Sequence, residues 1–94
     1  MVADPNAYRD QDGQMLHPHA RRRWDERLPE EWKGENVRGA WADGIPVDAP
    51  WFDGYCRLHK PSGAILIARL GLITTVIPIW HRTADEQQHI RRQL

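Results

Sequence analysis

Ala64-Ile65-Leu66-Ile67-Ala68-Arg69-Leu70-Gly71-Leu72-Ile73-Thr74-Thr75-Val76-Ile77-Pro78-Ile79 is the most apolar stretch of the chain, and its reading decides the fold. The run is rich in aliphatic and β-branched residues and is broken by Leu70-Gly71. It therefore reads as two strands, Ala64 to Arg69 and Leu72 to Ile79, joined by a tight turn. A nearly continuous apolar run suits a central strand covered on both faces, although one helical layer and one partly open face would fit as well. Pro78 cannot donate to a ladder, so the last strand is expected to fray or become an edge there. Upstream, Tyr55 to His59 reads as a first strand, joined to the second by the turn Lys60-Pro61-Ser62-Gly63.

Outward from this meander the signals change from strand to helix. Ile45 to Gly54 holds two prolines and ends in Asp-Gly, an extended connector whose Trp51 and Phe52 should cover the edge of the core. Glu30 to Asp43 is expected to be helical although Gly34 interrupts it, because Val37, Ala40 and Trp41 fall at i, i+3, i+4 before Gly44. A first helix should open at Pro18 and close before Pro29, with Ala20, Trp24 and Leu28 as its buried stripe. Residues 1–15 are polar and show no periodicity, which reads as a poorly ordered leader, so a single domain is expected over residues 16–94. At the other end Thr83-Ala84-Asp85-Glu86 matches a capping box and predicts a short last helix, thin in apolar residues and therefore weakly docked. The expected fold is α+β: two N-terminal helices, a three-stranded antiparallel meander and a short C-terminal helix.

Ninety-four residues allow one core, and the single Cys56 excludes an intramolecular disulfide framework. No stretch reaches the roughly 20 apolar residues that cross a bilayer, and Met1 to Pro5 has neither a basic start nor an apolar signal, so the cytoplasm is the expected compartment and no membrane partner is expected. Formal charge is zero, with 13 basic and 13 acidic residues, which gives no whole-molecule argument for a polyanionic partner. The distribution is less even. Residues 1–50 carry 7 basic and 10 acidic residues, residues 51–94 carry 6 and 3, and four arginines crowd into Arg21, Arg22, Arg23 and Arg27. They make either a local basic face or a solvated helix balanced by Asp25, Glu26, Glu30 and Glu31.

The stretch His19 to Arg27 carries the strongest chemical signal, because His19, Arg23 and Arg27 are four apart and stack along one helix face. Their stripe flanks the buried one and should lie at the rim between helix and sheet. An imidazole titrates near neutral pH and guanidinium groups bind phosphate, a toolkit suited to RNA cleavage. In that reaction a general base takes the 2′-hydroxyl proton, the oxygen attacks the adjacent phosphorus, and cationic donors stabilise the charge that builds on it. The plainer alternative is that these are exposed helix residues paired with carboxylates one turn away.

The pattern His-Ala-x-x-Arg-x-x-x-Arg in a first helix, followed by a second helix and strands ending in Leu72-Ile73-Thr74-Thr75-Val76-Ile77, resembles small RelE-like proteins over residues 16–79. It is most similar to their branch with that helix pattern and a terminal Thr-Val strand. The resemblance implies the fold shared by RelE-like, barnase-like and colicin-type nucleases, an RNA-cleaving activity and an antitoxin partner. It places the family histidine on His19, the helix arginines on Arg23 and Arg27, and the polar residue of the last strand on Thr75. The segment Pro78-Ile79-Trp80-His81-Arg82 and the helix beyond depart from the pattern, and fold alone does not establish catalysis.

Arg22, Arg57, Lys60, Arg69, His81 and Arg82 are further candidates for nucleic-acid contacts, each of them equally readable as solvated surface. Five tryptophans could stack on bases, but Trp24 and Trp41 fall on buried stripes. His17 and His19 are the only close histidine pair, and without a metal-binding motif no metal or cofactor is expected. The expected function is a metal-independent endoribonuclease of toxin–antitoxin type. The alternative is a non-catalytic nucleic-acid or protein-binding module that uses the basic first helix. RNA and an antitoxin or another protein are the expected partners, and the sequence leaves the oligomeric state open.

Overall fold

The computed structural model describes residues 15–94, so the expected leader over residues 1–14 lies outside the described residues. Met15, expected in the leader, belongs instead to a short strand β1 (Met15–Leu16). There follow α1 (Pro18–Arg27), a 3-10 turn (Glu30–Trp32), α2 (Val37–Asp43), β2 (Ile45–Val47), β3 (Tyr55–His59), β4 (Ala64–Arg69) and β5 (Leu72–Pro78). A second 3-10 turn (Ile79–His81) leads into α3 (Ala84–Arg91). The architecture is α+β around one five-stranded mixed sheet of order β1-β5-β4-β3-β2.

The sheet corrects the expectation of three strands. β3, β4 and β5 pair antiparallel, but β2 adds antiparallel to β3, and β1 adds parallel to the start of β5 at Leu72 and Ile73. Neither end of the meander is therefore a free edge along its whole length. The two extra strands leave no mark in the sequence because they are two and three residues long and β2 contains Pro46, too little for any alternation to register. β4 is central, and Ala64 to Ala68 are all buried, which is why the run is apolar without alternation. Leu70 and Gly71 both take positive φ, 52° and 81°, the condition for the tight hairpin turn at that point.

A bulge separates the two halves of the β4–β5 ladder: Ile67 faces Thr75 while Ala68 faces Ile73, so Thr74 is the extra residue. It puts Ile73 and Val76 on one sheet face, three apart in sequence. On that face they join Ala64, Leu66 and Ala68 beneath Ala20, Trp24 and Leu28 of the first helical segment and Val37, Ala40 and Trp41 of α2. The opposite face holds Val47, Cys56, Leu58, Ile65 and Ile67 with Ile79 and Ile90, flanked by Trp51 and Phe52 of the connector.

The helical segment expected over Glu30 to Asp43 is split. Gly34 adopts φ +80°, and the chain turns there before Asn36 caps α2 by accepting a hydrogen bond from Gly39 N at 3.1 Å. α3 is capped as its sequence predicts, with Thr83 Oγ1 accepting from Glu86 N at 3.2 Å. Its expected weak docking is corrected: Ile90 is fully buried, and Gln93 donates to the Asp48 carbonyl at 2.8 Å. One wholly buried aliphatic side chain and a few backbone contacts fix a helix whose mean composition is polar. Among the described residues no helix is long and apolar enough to cross a membrane.

Candidate functional site

α1 follows β1 and packs over β5 on one face of the sheet. His17 caps it, with Nδ1 accepting the His19 N–H at 3.0 Å, and Pro18 occupies the first turn where no N–H is needed. The helix ends where Leu28 precedes Pro29. The half-buried His19 thus sits in the first turn, near the Leu72 end of β5, and its ring lies edge-on to His17 with centroids 6.4 Å apart.

The arginines of this helix differ in what they touch. Arg27 donates through Nη1 to the Val76 carbonyl at 3.0 Å, on the stretch of β5 that β1 leaves uncovered. Arg23 donates to Glu26 at 2.9 Å, and its Nε is buried without a hydrogen-bond partner. Arg21 pairs with Asp25 and donates to the Glu35 carbonyl at 2.6 Å, while Asp25 accepts from Gly34 N at 2.9 Å. The Arg21 guanidinium first, and the Gly34 N–H second, hold the Asp25 carboxyl below its usual pKa. Arg21 and Asp25 therefore fasten the segment before α2 onto α1. Arg22 is exposed.

His19, Arg23 and Arg27 share the flank of α1, but Thr75 does not join them. Thr75 faces Ile67 across the ladder and takes the sheet face of the second cluster, opposite the one that α1 covers. The remaining candidates are dispersed. Arg57 is corrected from surface contact to buried residue: it is 7% exposed, donates to the Trp41 carbonyl at 2.9 Å and stacks 4.7 Å from the Trp41 ring. β2 and α2 cover its strand, which the sequence pattern leaves open. Lys60 is exposed in the β3–β4 turn, and the chain carries exposed His81 and half-buried Arg82 away from the same end of the sheet. Arg82 bonds Glu86 at 2.6 Å and lies 5.0 Å from the Phe52 ring. Arg69 pairs with Asp53 at the far end.

A second constellation does not announce itself in the sequence. At the end of β3, a cleft of about 210 Å³ is lined by Trp24, Trp32 and His59 together with Glu35, Asn36 and Asp43. His59 is 6% exposed, and its ring lies 5.4 Å from Trp32 and 6.2 Å from Trp24. Trp24 Nε1 donates to the Trp32 carbonyl at 2.6 Å, which fixes the turn carrying Trp32 over the helix. His59 Nδ1 meets Ser62 Oγ at 2.7 Å. Burial lowers the His59 pKa and so favours the neutral ring, while the charge of Asp43 acts in the other direction. Most of the lining comes from one stretch, Trp32 to Asp43, at three- and four-residue spacing, but the sequence signal is faint because Trp24 and His59 are brought to it only by the fold. Among the described residues no group of three or more His, Cys, Asp or Glu could hold a metal ion.

An α+β domain with a basic helix packed over β5 of its sheet matches a toxin class in sequence comparison. The chain belongs to the Halo_toxin family, whose description reads "Putative RelE superfamily toxin domain" and whose model matches residues 16–80. The match takes in α1, α2, the whole sheet apart from Met15, and the first two residues of the turn after β5, and it stops before α3. No curated protein and no solved structure matches the chain. Its class is thus a toxin of toxin–antitoxin type.

Proposed function

We propose that this toxin domain cleaves RNA without a metal ion, by attack of a ribose 2′-hydroxyl on the adjacent phosphorus. His19 is the general base or acid, and Arg23 binds the phosphoryl group, with exposed Arg22 adding charge. The observation that carries the reading is the flank of α1, where His19 and Arg23 lie one turn apart, about 6 Å along the axis, within the matched segment. His19 is half-exposed there, as a base that must meet substrate needs to be. Arg23 can exchange its Glu26 partner for a phosphate, since an exposed pair of this kind is worth at most about 1 kcal/mol. Arg27 serves this site through position, holding the helix to β5. Thr75 has no direct part in this version of the mechanism, because it belongs to the other sheet face. The compartment proposed is the cytoplasm, and the proposed partners are RNA and a cognate antitoxin.

A specific observation also favours a second reading, a binding module without turnover. No hydrogen bond from a side chain among the described residues holds the His19 imidazole, whereas an efficient base is held by a third group. Induced expression of the wild type beside His19→Ala and Arg23→Ala, with total RNA analysed from the same cells, separates the two. Growth arrest with new RNA fragments, both lost in His19→Ala, is the expected result. Arrest with intact RNA would transfer the function to binding, and full toxicity of His19→Ala would remove that residue from the mechanism.

A further inference from the structure

The cleft at the end of β3 is built for positive charge. Glu35 and Asp43 form no ion pair there among the described residues, and burial favours the neutral form of the His59 ring that lines the cleft with them. Ser62 Oγ accepts from Ala64 N at 3.2 Å and donates to the His59 carbonyl at 3.4 Å. Its remaining lone pair is satisfied when His59 Nδ1 carries the proton and donates to it. In that tautomer Nε2 is an unprotonated acceptor, and no hydrogen bond engages it among the described residues. A nine-tenths buried imidazole with an open lone pair, two carboxylates and the half-buried Trp32 ring thus face one small space.

We propose that this cleft receives the guanidinium of an arginine carried by a partner polypeptide. A guanidinium is planar, carries five donors and stacks on aromatic faces, so it can lie against Trp32 while it donates to a carboxylate and to His59 Nε2. An ammonium lacks the plane and the fork. The chain already uses this pairing within itself, with Arg57 over Trp41 at 4.7 Å and Arg82 over Phe52 at 5.0 Å. A volume of about 210 Å³ admits one such group and the end of its stem, not a folded element. RNA is disfavoured as the occupant, because two carboxylates without cationic partners repel the phosphates that would accompany a base. The proposal stands apart from ribonuclease activity: it concerns another part of the molecule and survives if the α1 flank proves inert.

The test is a titration of the full isotope-labelled chain with N-acetyl-arginine amide, its neutral isostere N-acetyl-citrulline amide, and guanosine 5′-monophosphate at low salt. It follows the indole N–H of Trp32 and the ring of His59. A saturable shift with the arginine amide is expected, with the citrulline amide about tenfold weaker and the nucleotide inert. Asp43→Asn and Glu35→Gln should each weaken the arginine amide about threefold while the buried Trp24 indole signal, a check on folding, stays in place. Equal binding of the citrulline amide would overturn the electrostatic basis. Preference for the nucleotide would make the cleft a base site, and the absence of any saturable shift would remove the site altogether.

Discussion

The α1 flank and the cleft at the end of β3 hold opposite relations between the charge written in the sequence and the charge available to a ligand. The flank is dense in arginine, yet Arg21, Arg23 and Arg27 are engaged by Asp25, Glu26 and the Val76 carbonyl, and only Arg22 stands exposed among them. The cleft draws on few charged residues, but its two carboxylates have no cationic partner among the described residues. Crowding of like charges along a helix therefore marks where the fold needs donors as much as where a ligand does. Pairing, which is a tertiary property, decides what remains to act at a distance.

The comparison breaks most completely at Trp24, the one residue that belongs to both regions. It is fully buried on the inner stripe of α1 and lines the cleft. Trp24→Ala is expected to cost about 3–5 kcal/mol, a large share of the stability of a domain this size, and to lower the thermal midpoint by well over 10 °C or leave the chain unfolded. Trp24→Phe keeps most of the packing and loses the bond to Trp32, so it should cost less. If both variants unfolded alike, the hydrogen bond to Trp32, rather than burial of the ring, would account for most of the loss.

Arg27 gives the next effect. Removing it leaves the Val76 carbonyl without its donor, and Arg27→Ala is expected to cost about 1–2 kcal/mol, or about 4–16 °C in midpoint, while Arg22→Ala changes stability by less than about 0.5 kcal/mol. Equal effects of the two would place Arg27 with the solvated charges. This contrast also guards the nuclease test: loss of toxicity in Arg27→Ala has a structural explanation, whereas loss in Arg22→Ala or His19→Ala does not.

The meander is legible because strands of five to seven residues carry enough apolar pattern to name themselves, and Leu70-Gly71 and Lys60 to Gly63 punctuate them. β1 and β2 are not, since strands of two and three residues exist only through the neighbours that pair with them. Without them the sequence puts Arg57 at the surface, although its burial depends on β2 and α2. The bulge at Thr74 has a similar consequence for Thr75: simple alternation from Ile73 would set Thr75 on the α1 side, and one inserted residue moves it to the other. His19, Arg22, Arg23 and Arg27 are legible as a helix because four-residue spacing is a local property. The cleft joins residues of the stretch Trp32 to Asp43 to Trp24 and His59, and no local spacing brings those two to it.

The smallest effect sharpens the cleft side of the comparison. Burial lowers the His59 pKa in the folded chain relative to its ordinary value of 6.5. Between those two values the unfolded chain binds the proton and the native chain does not, so stability increases with pH through that window. The penalty is absent above pH 6.5, grows as pH falls below it, and becomes constant once the native ring also protonates. The difference in thermal midpoint between wild type and His59→Gln should therefore move in favour of the wild type as pH rises from about 5 to 7. The carboxyl of Asp25 acts separately, since its lowered pKa contributes stability that is lost only as pH falls below its ordinary 3.8. A midpoint difference that stays flat from pH 5 to 7 would mean that the His59 ring is as well solvated as in the unfolded chain, and the cleft would then lack the partly desolvated acceptor on which its selectivity for a guanidinium rests.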